Sequence, residues 1–106
     1  MIIAVVADRG VARARVEDEE NLRQLHAEFR GVDDPAAAAA LHSAGLGTVR
    51  DDHAWLSTAA LRAAGDGSAD WTRRFEAMLA FAAGRGWVSA DGAEVQAHIE
   101  RGGDDW

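Results

Sequence analysis

Ala93, Val95, Ala97 and Ile99 alternate strictly with Glu94, Gln96, His98 and Glu100. That period of two predicts an extended segment with one apolar and one polar face. The turn residues of "WVSADG" just before it complete a C-terminal β-hairpin. At the other end, "IIAVVAD" and "VARARVE" meet at Asp8-Arg9-Gly10. Gly10 can take the positive φ of a tight turn, so this is a second hairpin. Arg13 and Arg15 alternate with Ala12, Ala14 and Val16, which gives its second strand a wet face.

Between the hairpins the pattern turns helical. Asp18 stands as a cap before Glu19 and Glu20, and Leu22, Leu25 and Phe29 follow at helical spacing as far as Gly31. Asp34 before Pro35 opens an alanine-rich helix over Pro35 to Ala44. The next stretch, "DDHAWLSTAALRAA", has two readings. Either Asp52 caps one helix through Ala64, or His53 to Leu56 is extended and Ser57 caps a helix over Thr58 to Ala64. On one continuous helix Leu56 and Leu61 fall on nearly opposite sides, which favours the split. Asp70 then caps a helix whose stripe is Trp71, Phe75, Met78, Leu79 and Ala82, with Arg73 and Glu76 facing away and Gly84 and Gly86 as the stop.

These elements make a single small α+β domain over residues 1–106, with an N-terminal β-hairpin, about four helices and a C-terminal β-hairpin. Residues 101–106, "RGGDDW", read as a loose tail. From Pro35 onward the order helix, short "AWLS", helix "TAALRAA", helix "WTRRFEAMLAFAAGRG" and hairpin "WVSADGAEVQAHIE" resembles a winged-helix domain. The resemblance is one of layout. It implies that Asp70 to Gly84 is the recognition helix, with Arg73 and Arg74 as its basic pair and Ala90 to Gly92 as the wing tip. The six-residue connection Gly65 to Asp70 and the acidic wing depart from that pattern.

Composition narrows the chemistry. The net charge is −7, so a phosphate-tracking surface is not expected and nucleic acid is a poor default partner. The chain has no Cys, Lys or Tyr, which removes disulfides, thiolate nucleophiles, Schiff bases and phenolic acids. The apolar run Ile2 to Ala7 lacks a preceding positive charge and stops at Asp8-Arg9, too short for a membrane span. The expectation is a cytoplasmic protein without membrane association.

Asp51, Asp52 and His53 could form an acid-base or metal cluster, above all if His98 and Glu100 approach, since positions two apart on a strand share a face. The candidates for proton transfer are Asp52, His53 and His98; the simpler reading makes the aspartates turn or cap residues, and no metal or other cofactor is expected. Asp66, Ser68 and Asp70 match the start of a calcium loop, but Trp71 stands where glycine is needed and Ala77 where glutamate belongs. The glycine pairs form no phosphate-binding fingerprint and no serine sits in a nucleophile elbow. What remains is the aromatic set Trp55, Trp71, Phe75, Phe81 and Trp87. Of these, Trp55, Trp71, Phe75 and Trp87 are the candidates for a ligand or interface surface. The expected function is non-catalytic binding or self-association, with a protein partner or a second copy. The alternatives are a small-molecule or acid-base site with an aromatic-lined pocket, and a winged-helix-like DNA or protein binder.

Overall fold

The computed structural model describes residues 1–102. The strands are β1 (Ile2–Asp8), β2 (Val11–Glu17), β3 (His26–Arg30), β4 (Gly47–Arg50), β5 (His53–Ser57) and β6 (Glu94–Gly102). The helices are α1 (Asp34–Ser43), α2 (Thr58–Ala63) and α3 (Ala69–Gly84). All six strands join one mixed sheet in the order β2-β1-β3-β6-β5-β4. β1, β3 and β6 run parallel to one another, and the remaining pairs are antiparallel. β6, the last strand in sequence, fills the slot between β3 and β5 and so joins the two halves of the sheet.

Both tight hairpins obey one backbone rule. Arg9 and Gly10 have φ of 53° and 80°, and Asp51 and Asp52 have φ of 50° and 67°. Two consecutive positive φ angles give the primed turn whose twist matches the flanking strands. Asp51 and Asp52 therefore turn the chain between β4 and β5. The split reading of "HAWLSTAALRA" matches the structure, with Ser57 accepting from the Ala60 backbone N–H at 3.1 Å to cap α2. The caps of the other helices lie slightly earlier than expected, at Asp33 for α1 and Ser68 for α3. Asp66 accepts from the Ser68 N–H at 2.8 Å, so the calcium-like stretch is a turn leading into that cap.

The core is a single cluster on one side of the sheet. Ile3, Val5, Ala27, Phe29, Leu56, Val95 and Ile99 meet Leu41 of α1, Leu61 of α2, and Trp71 and Phe75 of α3. Trp71 and Phe75 stack with centroids 5.1 Å apart and planes 9° from parallel. Gly65 is required there, because a Cβ at that position would lie 2.3 Å from the Trp71 ring. The Trp71 indole N–H donates to the Glu19 carbonyl at 2.9 Å, so burial of this ring leaves no polar atom unpaired.

Three expectations are corrected. Three helices form among the described residues, not about four, because residues 18–31 contain a turn and β3 in place of a helix. Ala27 and Phe29 are buried while His26, Glu28 and Arg30 face the other way, a period of two that the helical spacing of Leu25 and Phe29 concealed. Asp18 has a φ of 53°, outside the extended region that a helix cap needs. The C-terminal hairpin is short, a single bridge between Val88 and Val95 at the start of β6, which pairs with β5 over residues 94–97 and runs on beside β3 over 98–102. Arg101 and Gly102, expected in a loose tail, end β6; Arg101 binds Asp34 at 2.8 Å and Asp52 at 2.6 Å. The rest of that tail, residues 103–106, lies outside the described residues. No helix among the described residues is long and apolar enough to cross a membrane.

Candidate functional site

The sheet face away from the core is polar, and the parallel pairing of β3 with β6 organises its centre. His26-Ala27-Glu28 on β3 lies alongside His98-Ile99-Glu100 on β6 in a register that sets His26 beside His98 and Glu28 beside Glu100. Ala27 and Ile99, between them, point into the core. The same alternation that buries these two residues therefore gathers two imidazoles and two carboxylates on the opposite face.

Within this quartet, His26 Nε2 lies 2.8 Å from one Glu28 oxygen and 3.8 Å from a Glu100 oxygen. Arg30 donates to the other Glu28 oxygen at 2.9 and 3.1 Å, and its remaining N–H groups reach Glu17 at 2.9 and 3.2 Å. The hydrogen bond with His26, followed by that from Arg30, holds the Glu28 carboxyl below its ordinary range. The Arg30 hydrogen bonds do the same to Glu17.

One step along β6 the face becomes aromatic. The register that pairs Ala54 with Ala97 carries on to bring His53 of β5 opposite His98. His53, His98, Gln96, Leu25 and Trp87 border a cleft of about 220 Å³. On the other side of Trp87 lies a second cleft of about 100 Å³, bordered by Leu25, Met78, Phe81 and Val95 among others. Phe81 and Trp87 meet edge to face at 6.2 Å, and the Arg85 guanidinium lies 5.4 and 5.5 Å from their centroids. Both rings are exposed, Phe81 at 61% and Trp87 at 40%. A wider depression of about 480 Å³ runs between α3 and the 20–23 segment, where Arg74 and Glu20 are paired at 3.0 Å and Arg23 also lines the wall.

The residues singled out in the sequence separate into three environments. Trp71 and Phe75 are 1% and 0% exposed and belong to the core, so neither offers a surface to a ligand. Trp55 lies on the polar face, half-buried beneath the Arg50 guanidinium at 4.9 Å. Trp87 borders both clefts and is joined by Phe81. His53 and His98 share a cleft, but Asp52 is turned to Arg101 and His53 Nδ1 lies 3.0 Å from the Asp51 carbonyl, so this pair of histidines has no carboxylate between them. Reasoning from sequence missed His26 and Glu28. The available signal was the matched pair of triplets, "HAE" and "HIE", each alternating about a buried apolar residue.

Compared with protein-family profiles, with curated proteins and with solved structures, the chain matches none of them.

Proposed function

We propose that the protein acts by association, without a reaction of its own, through the face centred on Trp87 and Phe81. The observation that carries this reading is the exposed edge-to-face ring pair with a small cleft on either side of Trp87. Metabolite sites generally enclose about 300–1,000 Å³. Clefts of about 220 and 100 Å³ fall below that range and suit single side chains of a partner. Large aromatics and Arg are the residue types that anchor interfaces, and Phe81, Trp87 and Arg85 supply both. Arg23 borders the cleft beside Phe81, and the adjoining depression adds the paired Arg74 and Glu20, so the surroundings carry both signs and a second copy can meet them across a two-fold axis without stacking like charge. The occupant assigned is therefore a second copy of this chain. Sedimentation velocity over roughly 1 μM to 1 mM, the range of weak interfaces, is the test. The expected result is a concentration-dependent dimer lost in Phe81→Ala/Trp87→Ala. A strict monomer throughout overturns it.

A second reading, a small-ligand or acid-base site, draws on His53 and His98 bordering the same cleft as Trp87. It requires a compound that shifts tryptophan emission, with the shift abolished in His53→Ala. A winged-helix-like DNA binder would depend on Arg73 and Arg74. Both pair with Asp70, Arg74 at 3.1 Å, and Arg74 also binds Glu20, which leaves that reading little free positive charge. It requires a salt-dependent shift on duplex DNA that Arg73→Ala/Arg74→Ala weakens.

A further inference from the structure

The geometry points to a divalent transition-metal site on the polar sheet face, built from His26, Glu28 and Glu100 with His98 as the fourth ligand. A tetrahedral ion with bonds of about 2.1 Å to nitrogen and oxygen places its ligand atoms about 3.4 Å apart. The two edges from His26 Nε2, 2.8 Å to Glu28 and 3.8 Å to Glu100, bracket that length. All three ligand atoms lie within 4.8 Å of one another. His98 stands beside His26 in the strand register on the same face, the position from which the fourth ligand is assigned.

Two further features distinguish this cluster from an ordinary surface ion pair. Arg30 engages one oxygen of Glu28, which orients the carboxylate and leaves the other oxygen on the His26 side. Glu100 has only His26 as a charged neighbour among its described ion pairs and is free to turn toward an ion. Two imidazoles and two carboxylates without a thiolate suit Zn²⁺, with Co²⁺ as its spectroscopic substitute. A helix over residues 18–31, as the sequence pattern suggests, would point His26 and Glu28 in different directions. On a strand they share a face.

The test is calorimetric titration of the chelator-treated full chain with ZnCl₂, alongside the visible spectrum with CoCl₂. The expected result is one ion per chain and an intense four-coordinate Co²⁺ band. Affinity should weaken roughly tenfold or more in His26→Gln and in Glu100→Gln, since even groups that only orient a ligand have effects of that size. Glu100 is exposed, so Glu100→Gln keeps the fold when His26→Gln does not, and circular dichroism separates the two cases. His42→Gln, on α1, should leave binding unchanged. Absence of binding, several weak ions per chain, a six-coordinate Co²⁺ spectrum, or loss of binding in His42→Gln would each overturn the site.

Discussion

The two faces of the central strands receive side chains from the same alternation and put them to opposite use. On the covered face, Ala27, Phe29, Val95 and Ile99 pack against Trp71, Phe75 and Leu61, and shape alone decides what fits. On the other face, His26, Glu28 and Arg30 are joined by hydrogen bonds, and His98 and Glu100 stand beside them in register. The two exposed rings at its margin have no such partners. Volume changes should therefore be costly on the first face, while the second tolerates substitution and is the place where binding can evolve.

Substitutions test that contrast, with the covered face first. Phe75→Ala empties a fully buried site and should cost about 3–5 kcal/mol in urea unfolding. Phe81→Ala, six residues on and exposed, should cost less than about 1 kcal/mol. Comparable losses for the two would break the distinction. Gly65→Ala adds a Cβ 2.3 Å from a stacked ring that has nowhere to go, and should destabilise by about 1–3 kcal/mol.

On the polar face the expected effect is smaller and depends on pH. Glu17 and Glu28 have folded-state values below the ordinary 4.5. Their contribution is complete above that value and is lost as pH falls through the lower folded values. Arg30→Gln should remove about 1 kcal/mol at neutral pH and flatten the decline of stability below about pH 5. An unchanged acid limb would show that the network contributes nothing. The smallest effect is a gain. Asp51→Asn with Asp52→Gly suits the left-handed turn better and should add about 0.5 kcal/mol after the loss of the exposed Asp52 contact with Arg101. A lower unfolding midpoint would show that this contact outweighs the turn.

The elements legible from sequence were those whose signal is local. The Arg9-Gly10 hairpin, the Ser57 cap with its preceding strand, the alternation of β6 and the apolar stripe of α3 all depend on neighbours within a few residues. β3 was not legible because five residues cannot separate a period of two from one of 3.6, and its helical reading fails only once β1 and β6 are there to pair with it. The quartet went unseen for the same reason, since half of it lies on β3. The aromatics were found as a set, but sequence could not sort Trp71 and Phe75, which are buried, from Phe81 and Trp87, which stay exposed.

The contrast between Trp71 and Trp87 also supplies the most direct test of association through the open margin. A ¹H–¹⁵N spectrum of the indole N–H region, recorded across a dilution series and assigned with Trp87→Phe, reads each ring separately. The expected result is a Trp87 signal that moves with concentration while Trp71, bonded to the Glu19 carbonyl inside the core, stays fixed. A Trp87 signal that does not move, or equal movement of both, would contradict it.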